Sequence, residues 1–492
     1  MSDPGWARHL PPGVPPPDLL RSGSLPLAWS RRWTAHPDQV VAGDANGAWT
    51  TGSQLESRSR ACAELLATAG LIPGDRLLVS ATSSVALIAW HVGALRLGLI
   101  VVPANTSYGP TELAHIADDA QPAAAVLDGL DRAAVLGSIP FFSVDHALPT
   151  PTGTVALDRS GPDDAALIGY TSGTTGRPKG AVLTHGNLLS SAEALRLAWR
   201  WTPEDRLILA LPLFHMHGLG VGVHGTLLAG GSMVLLPRFD VDAVLDAARD
   251  HDATLFFGVP TMYTRLAQSP RAGELARLRL CVSGSAPLAP DLFERIEAES
   301  GQRVLERYGM TETVMNLSNP YKGERRPGSV GLPLPGVEVR LEDGEAGEIL
   351  VRGPNVFRGY WGNPTATAEA FHDGWFRTGD VGERDPDGYI RIVGRTKELI
   401  ISGGFNIYPR EVEEAIESHS AVLEAAVTGT PDPEWGEVVT AYVVLLQPVS
   451  SDELLEHCAR QLAPFKRPRR VHIVGALPRN ALGKIQRTEL HP

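Results

Sequence analysis

Short β-branched runs alternate with longer Ala- and Leu-rich amphipathic stretches from about residue 30 to residue 390. Such alternation predicts an α/β domain built on largely parallel sheets. Ligands of such domains tend to bind beyond the carboxyl ends of the strands. The predicted strands include Arg76–Ser80, Leu99–Pro103, Ala123–Leu127, Ala166–Tyr170, Met233–Leu236 and Leu278–Ser283, and the predicted helices include Thr51–Gly70, Gly186–Trp199 and Val241–Arg249.

The pattern changes after Tyr360, where strands become shorter and turn residues more frequent. Asp385–Gly388 reads as a turn between two strands, because Asp, Pro and Gly suit tight turns. A small α+β unit is predicted beyond it, with a domain boundary at about residue 395. Tyr389–Val393 is the second strand of that hairpin and precedes the boundary. The predicted elements of the small unit are a strand at Leu399–Ser402, a helix from Pro409 to about Ser418, strands near Ala425–Gly429 and Thr440–Leu446, and a helix near Ser451–Leu462.

Composition narrows the class of protein. A chain of 492 residues with 43% hydrophobic and 20% charged residues predicts two or more globular domains. The net charge of −12 argues against nucleic acid as a partner. The three cysteines, Cys62, Cys281 and Cys458, lie far apart in sequence, so neither a disulfide framework nor a zinc cluster is predicted.

The N-terminal 25 residues are rich in proline and lack the basic and apolar regions of a secretory signal, so we expect an extended leader. The most apolar stretch is Leu77–Pro103. Polar residues and two glycines interrupt it, which predicts strand, helix and strand rather than a membrane span. A cytoplasmic enzyme is therefore expected.

The segment Tyr170–Gly180 carries the strongest chemical signal. It follows a predicted strand and combines glycines, hydroxyl side chains and two basic residues, which suits a loop that cradles phosphate oxygens. The spacing differs from the Walker motif. A flexible Ser/Gly surface loop is the alternative. The candidate phosphate-binding residues are Thr171, Ser172, Gly173, Thr174, Thr175, Gly176 and Lys179.

This segment resembles the phosphate loop of the adenylate-forming superfamily, which contains acyl-CoA synthetases, adenylation domains and luciferases. Further segments resemble the motifs of that family in the same order, and the resemblance extends from about residue 30 to residue 488. It implies that ATP and Mg²⁺ activate a carboxylic acid as an acyl-adenylate, and that coenzyme A then accepts the acyl group. These segments are Gly284–Pro287, Glu306–Glu312, Thr378–Asp380, Gly394–Arg395 and Pro478–Lys484.

The resemblance assigns roles at the nucleotide site. Tyr308 is expected to stack on adenine, Asp380 to accept the ribose hydroxyls, and Arg395 to reach the ribose or phosphates. Ordinary core or surface roles are the alternatives for each. The remaining candidates for ATP binding are Gly284, Ser285, Ala286, Pro287, Glu306, Arg307, Gly309, Met310 and Ile392.

The candidate catalytic residues are Lys484, Thr311, Glu312 and His215. A carboxylate that attacks a phosphate brings two negative groups together, and a lysine that contacts both lowers the barrier electrostatically. Mg²⁺ shared with phosphates needs one or two protein carboxylates or hydroxyls, here Glu312 with Thr175.

The resemblance also implies a small mobile C-terminal domain that alternates between two docked faces. The expected division is a leader at 1–25, an N-terminal domain at 26–394, a hinge at 395–398 centred on Lys397, and a C-terminal domain at 399–492. The N-terminal domain is expected to be large and multi-layered, with mixed, largely parallel sheets. The candidates for coenzyme A binding are Ser402, Gly403, Gly404, Phe405, Lys466 and Arg467, with Arg470 in the same basic run. A solvated basic run is the alternative for the last three.

Within the superfamily, Leu213–Leu219, Gly258–Tyr263 and Tyr308–Ser318 resemble malonyl-CoA synthetases. A dicarboxylate needs donors at its non-reacting end. The candidate acid-binding residues are His217, Arg279, Ser285 and Met315; an ion pair for Arg279 and a structural role for His217 are the alternatives.

Met216 and Leu317 depart from the subfamily pattern, and His224 lies on a segment expected to line the pocket. A malonate, a substituted malonate, another small acid and an aromatic acid all stay open. Alternative acceptors are a carrier protein or a non-thiol nucleophile in secondary metabolism, as in amide formation or nitrite-dependent diazotisation. A monomer or a homodimer is expected.

Overall fold

The structure is a computed structural model that describes residues 5–11, 13–14, 18–171, 178–402, 404–480 and 484–490. The chain divides into two compact units. Unit 1 comprises Met1–Val339 and Val351–Phe376, and unit 2 comprises Arg340–Leu350 and Arg377–Pro492. The chain passes from unit 1 to unit 2 twice, so neither unit is one continuous segment.

Helices and strands alternate along unit 1 as predicted. The helices are α1 (Leu25–Ala35), α2 (Gly52–Thr68), α3 (Val85–Leu97), α4 (Pro110–Ala120), α5 (Leu130–Leu136), α6 (His185–Ala198), α7 (His224–Ala229), α8 (Val241–Asp250), α9 (Pro260–Ala267), α10 (Pro290–Ser300), α11 (Pro364–Ala370), α12 (Pro409–Glu417) and α13 (Ser451–Gln461). The strands up to residue 333 are β1 (Val40–Asp44), β2 (Trp49–Thr51), β3 (Arg76–Ser80), β4 (Ile100–Pro103), β5 (Ala124–Leu127), β6 (Phe141–Ser143), β7 (Ala165–Thr171), β8 (Lys179–Thr184), β9 (Arg206–Leu209), β10 (Ser232–Leu235), β11 (Leu255–Gly258), β12 (Leu280–Ser283), β13 (Leu305–Tyr308), β14 (Leu317–Ser318) and β15 (Leu332–Pro333). The later strands are β16 (Glu338–Leu341), β17 (Ala346–Arg352), β18 (Gly359–Tyr360), β19 (Phe371–His372), β20 (Trp375–Arg384), β21 (Ile390–Arg395), β22 (Ile400–Ser402), β23 (Phe405–Ile407), β24 (Val422–Asp432), β25 (Gly436–Leu445) and β26 (Arg470–Ile473).

Local capping explains where the predicted helices begin. Thr51 precedes α2, and its hydroxyl accepts a hydrogen bond from the Gln54 N–H at 3.3 Å, while the Gln54 side chain accepts one from the Thr51 N–H at 3.0 Å. This reciprocal arrangement satisfies two N–H groups that the first helical turn leaves unpaired. The predicted helix at 51–70 is thereby confirmed, with its ends shifted by one or two residues.

Two large sheets organise unit 1. One has the strand order β15-β14-β13-β12-β11-β9-β10-β1-β2, and the other has the order β18-β8-β7-β4-β3-β5-β6. The parallel strands of the first sheet are β13, β12, β11, β9, β10 and β1. Those of the second sheet are β7, β4, β3, β5 and β6. The outer strands of both sheets pair antiparallel. The predicted class of mixed, largely parallel sheets is confirmed. The carboxyl ends of β11, β12 and β13 consequently meet at one edge.

The apolar stretch at 77–103 is confirmed as strand, helix and strand. It forms β3, α3 and β4, and α3 ends at Gly98, whose φ of +88° suits glycine. Within the described residues, no helix is both long and apolar enough to cross a membrane.

The predicted extended leader is wrong for part of its length. Gly5–His9 form a 3₁₀ turn, and the buried His9 ring lies within 3.4 Å of the Leu332 carbonyl oxygen. Leu19 is buried, and its side chain packs against Gly336, where a Cβ would lie only 2.5 Å away. Apolar residues interspersed among the prolines therefore pack onto unit 1, which the proline content alone did not indicate.

Unit 2 contains a sheet with the order β23-β22-β25-β24, and β26 pairs with β25. Helices α12 and α13 cover one face, so the predicted α+β character is confirmed. The compact division nevertheless falls earlier than the predicted boundary, between residues 376 and 377. The physical reason is that β21 packs within unit 2: Arg391 pairs with Glu414, and Gly394 lies against the Tyr408 ring. The hinge at 395–398 stays a prediction.

Candidate active site

The predicted phosphate loop connects two antiparallel strands of unit 1. Thr171 ends β7 opposite Lys179, which begins β8, and the Thr171 hydroxyl lies 3.4 Å from the Lys179 carbonyl oxygen. Both flanking candidates therefore lie at the base of one hairpin. The candidates Ser172, Gly173, Thr174, Thr175 and Gly176 lie outside the described residues.

Thr311 and Glu312 lie close to this hairpin. A Cβ at Gly169 on β7 would lie 2.4 Å from the Thr311 Cγ2, so the glycine allows the Thr311 side chain to contact the strand. The Glu312 side chain is buried, and its Oε1 accepts a hydrogen bond from the Tyr360 hydroxyl at 3.0 Å. The Lys179 ammonium lies 5.3 Å from the centre of the Tyr360 ring. The structure thus joins these predicted residues through Tyr360.

Sequence reasoning missed Tyr360. Burial and the Glu312 carboxylate raise the pKa of its phenol above the ordinary range, so the hydroxyl remains protonated and donates to the carboxylate. Tyr360 lies on the short strand β18, which pairs with β8. No motif or regular spacing in the sequence around Tyr360 distinguishes it from the other tyrosines of the chain.

The predicted adenine-binding turn follows the carboxyl end of β12. Ser285 has a φ of +71°, an uncommon conformation for a residue with a side chain, and Gly284 N–H donates to the Gly258 carbonyl oxygen at 3.3 Å. Glu306 on β13 accepts a hydrogen bond from the Leu288 N–H at 2.9 Å, which holds the end of the turn. Ala286 and Pro287 complete the turn.

The loop after β13 is tightly folded. A Cβ at Gly309 would lie 2.1 Å from the Val314 carbonyl oxygen, so this position requires glycine. Val314 itself has a φ of +55°, which is strained for a β-branched residue. The Asn355 amide donates to the Thr313 and Met315 carbonyl oxygens on either side of it, at 2.9 Å each. Tyr308 and Met310 lie in the same loop.

His217 begins a π-helical turn at His217–Val223, in which the Val221 N–H donates to the Met216 carbonyl oxygen at 2.9 Å. Such turns are often found at functional sites. The buried His217 ring stacks on Phe257, and its Nδ1 lies 3.3 Å from the Ser285 hydroxyl. The predicted acid-binding residues His217 and Ser285 are therefore neighbours.

The histidines of this segment are held neutral. Burial, with the positive Arg307 nearby, lowers the pKa of His215 to about 4 and that of His217 well below its usual range. His215 Nδ1 accepts a hydrogen bond from the His217 N–H at 3.3 Å. A neutral His215 is able to orient a substrate but does not supply positive charge near pH 7.

Arg307, predicted for ATP binding, lies beneath the Gly284 turn. A Cβ at Gly284 would lie 2.3 Å from the Arg307 Cζ, and the side chain is 3% exposed. Burial lowers its pKa to about 9, so it stays charged near pH 7. Among the described residues, its Nε and Nη2 atoms have no hydrogen-bond partner, and the same holds for His217 Nε2.

The prediction that Arg279 binds the acid is wrong. Its guanidinium donates two hydrogen bonds to Asp205, at 2.5 Å each, and further bonds to the carbonyl oxygens of Trp199 and Arg200. Arg279 precedes β12 and so lies at its amino end, opposite the Ser285 turn. The alternative of an ion pair at the start of a strand is confirmed.

His224, on the segment expected to line the acid pocket, contacts a second buried histidine. Its Nε2 lies 2.8 Å from the Nε2 of His91, the two rings stack, and both are buried.

Met216 and Val314 both approach Gly220, where a Cβ would lie 3.3 Å from the Met216 Sδ and 3.4 Å from the Val314 Cγ1. Met315 and Leu317 are buried nearby in sequence. Apolar side chains therefore close this region.

Within unit 2, the predicted residues Asp380, Arg395 and Lys484 come together. Asp380 on β20 pairs with Arg395 on β21, with 2.7 Å between Oδ1 and Nε. Burial and then the Arg395 charge lower the pKa of Lys484, while Glu398 and Asp380 oppose that shift. Ile392 lies on β21, and Lys397 lies in the 3₁₀ turn Thr396–Glu398.

The coenzyme A candidates also lie in unit 2. Ser402 is buried, Gly404 has a φ of +82°, and the Phe405 ring stacks on Phe465 with centres 4.4 Å apart. Gly403 lies outside the described residues.

The basic run is largely engaged by neighbouring groups. Lys466 pairs with Glu411 at 2.6 Å, and Arg467 donates to the carbonyl oxygens of Leu462 and Ala459. Arg470 lies 3.5 Å from Asp432. Because Glu411 and Asp432 offset part of its charge, this run attracts phosphate less strongly than the sequence suggested.

Comparison with known proteins agrees with this geometry. Residues 29–361 match the AMP-binding enzyme family, and residues 411–484 match the AMP-binding enzyme C-terminal domain. The chain is 38% identical to a feruloyl-CoA synthase from Amycolatopsis, covering 95% of this chain and 98% of that protein. It is 38% identical to a sulfoacetate–CoA ligase from Cupriavidus necator, covering 93% and 95%. It is 36% identical to a malonate–CoA ligase from Arabidopsis thaliana, covering 86% and 78%.

Solved structures show the same fold. ATP-bound MatB from Rhodopseudomonas palustris superposes with a TM-score of 0.89 at 41% identity, covering 94% of this chain and 98% of that one. A malonyl-CoA ligase with methylmalonyl-CoA and AMP superposes with a TM-score of 0.68 at 44% identity, covering 90% and 97%. The chain belongs to the AMP-binding, adenylate-forming enzyme family and is an AMP-forming acid–CoA ligase.

Proposed function

We propose that this ligase activates a short carboxylic acid whose far end carries a second anionic group, a carboxylate or a sulfonate. Arg307 carries the proposal. A buried guanidinium loses its hydration, which costs several kcal/mol unless an anion compensates. Its Nε and Nη2 atoms have no partner among the described residues, and this edge of the guanidinium suits two parallel hydrogen bonds to one anion.

His217 and Ser285 supply the second half of the anion site. We propose that the Ser285 hydroxyl donates to His217 Nδ1, 3.3 Å away; the ring proton then resides on Nε2, where it would donate to an anion. This Nε2 atom is buried without a partner in the part of the chain that the structure describes. Arg307 and His217 lie close enough for the arginine charge to lower the pKa of the histidine after the larger effect of burial.

Two apolar side chains favour a short substrate. Met216 and Val314 both approach Gly220, and both side chains are buried. We infer that they would shield an anion held by Arg307 and His217 from water and would disfavour a long chain. The relatives named for malonate and sulfoacetate use acids of this kind, whereas the relative named for ferulate uses an aromatic acid.

In the proposed first step, a carboxylate oxygen of the acid attacks the α-phosphorus of ATP, and pyrophosphate leaves. Thr311 would hydrogen-bond the α-phosphate, and Lys484 would contact both reacting groups. Glu312, a buried carboxylate next to the phosphate hairpin, suits one Mg²⁺ shared with phosphate oxygens. Such an ion, when bound, would neutralise part of the phosphate charge. In the second step the thiolate of coenzyme A attacks the acyl carbon, and AMP leaves.

We also propose that unit 2 alternates between two docked faces, with Lys397 as the hinge. Lys484 would serve adenylation from one face, and Ser402–Phe405 with Lys466 and Arg467 would guide coenzyme A on the other. Large rotations of this kind need only a few residues that change their backbone dihedrals.

Acid-dependent exchange of labelled pyrophosphate into ATP tests the substrate class. The panel pairs each diacid with a neutral-ended partner: malonate with propionate, sulfoacetate with acetate, and succinate with butyrate, together with ferulate. We expect malonate or sulfoacetate to exceed its partner at least about 100-fold in kcat/KM, because an unpaired buried charge costs about 3 kcal/mol or more. Product masses with coenzyme A and with a carrier protein identify the acceptor.

Arg307→Met should remove this preference, whereas Arg279→Gln, which breaks the Asp205 pair instead, should keep it. A wild-type preference for propionate or ferulate, or an unchanged preference in Arg307→Met, would contradict the proposal.

A further inference from the structure

The Arg487 side chain joins three separate elements of unit 2. Its Nη1 lies 2.9 Å from Glu398 Oε2, its Nη2 lies 2.6 Å from Glu413 Oε1, and its Nε donates to the Val427 carbonyl oxygen at 3.2 Å. Glu398 ends the 3₁₀ turn at the predicted hinge, Glu413 lies on α12, and Val427 lies on β24. One guanidinium thus fixes the C-terminal segment against the hinge and the domain core.

Arg487 follows Lys484 by three residues, and the chain between them is held on its other side as well. The Lys484 N–H donates to the Asn480 side chain at 3.0 Å, and the Asn480 N–H donates to the Lys484 carbonyl oxygen at 2.9 Å. The Gln486 N–H donates to the Pro478 carbonyl oxygen at 2.9 Å. With its backbone closed by these bonds, the lysine segment takes its orientation from the Arg487 anchor.

Glu398 is shared between the anchor and the lysine. Burial is the main cause that lowers the pKa of Lys484; Arg395 and Arg487 lower it further, and Glu398 and Asp380 raise it. Arg487 holds Glu398 in an ion pair at 2.9 Å, so this carboxylate already has a cationic partner. Without Arg487, an unpaired Glu398 would become a counterion that competes with the substrate for the lysine.

We propose that Arg487 is a positioning residue for Lys484: it aims the lysine segment and keeps Glu398 from capturing the ammonium group. The inference rests on the proposed adenylation role of Lys484. Arg487 itself contacts only side chains and backbone of unit 2 in the contacts described above, so its effect on the reaction passes through the lysine.

The test measures the two half-reactions separately: pyrophosphate exchange with the preferred acid, and thioester formation from a supplied acyl-adenylate and coenzyme A. Arg487→Gln should lower the kcat of exchange about 10- to 100-fold, because small misplacements of a catalytic group have effects of this size. The KM for ATP and the thioester half-reaction should stay within about 3-fold of wild type. Arg487→Lys, which retains one ion pair, should recover part of the exchange rate.

Arg410→Gln is the matched control. Arg410 lies on α12, is similarly buried, and pairs with Glu414 and Glu417. We expect both half-reactions of this variant to stay within about 3-fold of wild type. Urea unfolding of each variant measures how far the loss of its ion pairs lowers the free energy of unfolding.

A second readout does not depend on activity. Acetylation of Lys484 by acetic anhydride, followed by peptide mass spectrometry across pH, reports the pKa of the lysine. Arg487→Gln should move the labelling midpoint to higher pH, because a positive neighbour is lost and Glu398 is released. Glu398→Gln should move it to lower pH, since it removes a negative neighbour. An unchanged midpoint in Arg487→Gln would show that neither the Arg487 charge nor a released Glu398 acts on the lysine, and would contradict the proposal.

Different outcomes separate the inference from the proposed function. If Lys484→Ala abolishes exchange while Arg487→Gln exchanges within about 3-fold of wild type, the positioning role is wrong and adenylation by Lys484 stands. Equal losses in both half-reactions, or equal losses in Arg410→Gln, would also overturn the positioning role. If Lys484→Ala exchanges like wild type, the proposed role of the lysine fails first, and the inference fails with it.

Discussion

Acid should destabilise unit 1 because it buries several neutral histidines. Burial lowers the pKa of His9 and His185 to about 4 and that of His91 to about 3. His217 and His224 are also buried, and their pKa values are lowered well below the usual range. His91 and His224 hydrogen-bond each other, so protonation of both would break that contact.

The direction of this pH effect on stability follows from the histidine pKa values in the unfolded and folded states. Unfolded histidines titrate near pH 6.5, whereas His9, His91 and His185 in the folded state titrate near 3 to 4, so between these values only the unfolded state takes up protons. Stability is therefore complete above about pH 6.5 and falls as the pH decreases toward 4. From pH 7.5 to 5.5, each such histidine lowers the free energy of unfolding by about 1.4 kcal/mol, and these three together by about 4 kcal/mol.

Urea unfolding at pH 7.5 and 5.5, followed by tryptophan fluorescence, measures this loss. Nine of the ten tryptophans lie within the ranges of unit 1, with Trp435 in unit 2, so fluorescence reports mainly on unit 1. His185→Gln should reduce the difference between the two pH values by about 1.4 kcal/mol. His372→Gln, at an exposed position, should leave it unchanged. A loss below about 1 kcal/mol in the wild type would refute the reasoning.

Three further substitutions test the site. Lys484→Ala should abolish pyrophosphate exchange and leave thioester formation from a supplied acyl-adenylate largely intact; equal loss in both half-reactions contradicts its role. Tyr360→Phe removes the hydrogen bond to Glu312 and should lower the rate of exchange about tenfold, because hydrogen bonds to charged groups contribute about 1.5–3 kcal/mol. Trp361→Phe is the control: it loses a hydrogen bond to the Asp119 carbonyl oxygen and should leave the rate of exchange unchanged. Asn355→Ala leaves the carbonyl oxygens of Thr313 and Met315 without this donor. It should lower the free energy of unfolding, measured in urea, by about 2–4 kcal/mol. A loss below about 1 kcal/mol would show that Val314 holds its conformation without Asn355.

Several residues that the sequence motifs predict for nucleotide binding lie next to one another in the structure. Thr171 and Lys179 are opposite each other on a hairpin, Thr311 contacts Gly169 on the same hairpin, and Asp380 pairs with Arg395. These outcomes depend on local chain geometry: glycines at close approaches and residues at strand ends, which short segments encode.

Candidates for acid binding were harder to predict. The sequence pattern favoured Arg279, within the predicted strand Leu278–Ser283, for the acid, and it favoured Arg307, within the Glu306–Glu312 motif, for ATP. Their positions differ, because Arg279 precedes β12 at its amino end and Arg307 approaches the carboxyl end of β13. Ligands of α/β domains tend to bind beyond the carboxyl ends of strands, which supports the proposed role of Arg307.

The sequence by itself determined the fold class, the alternation of elements and the family to which the chain belongs, since hydrophobic periodicity and short glycine-rich motifs act over short distances. Only the tertiary structure decided which charged groups are already paired. Asp205 engages Arg279, Glu411 engages Lys466, and Arg307 is buried beneath Gly284. Such pairings join residues far apart in the chain, and no local pattern records them.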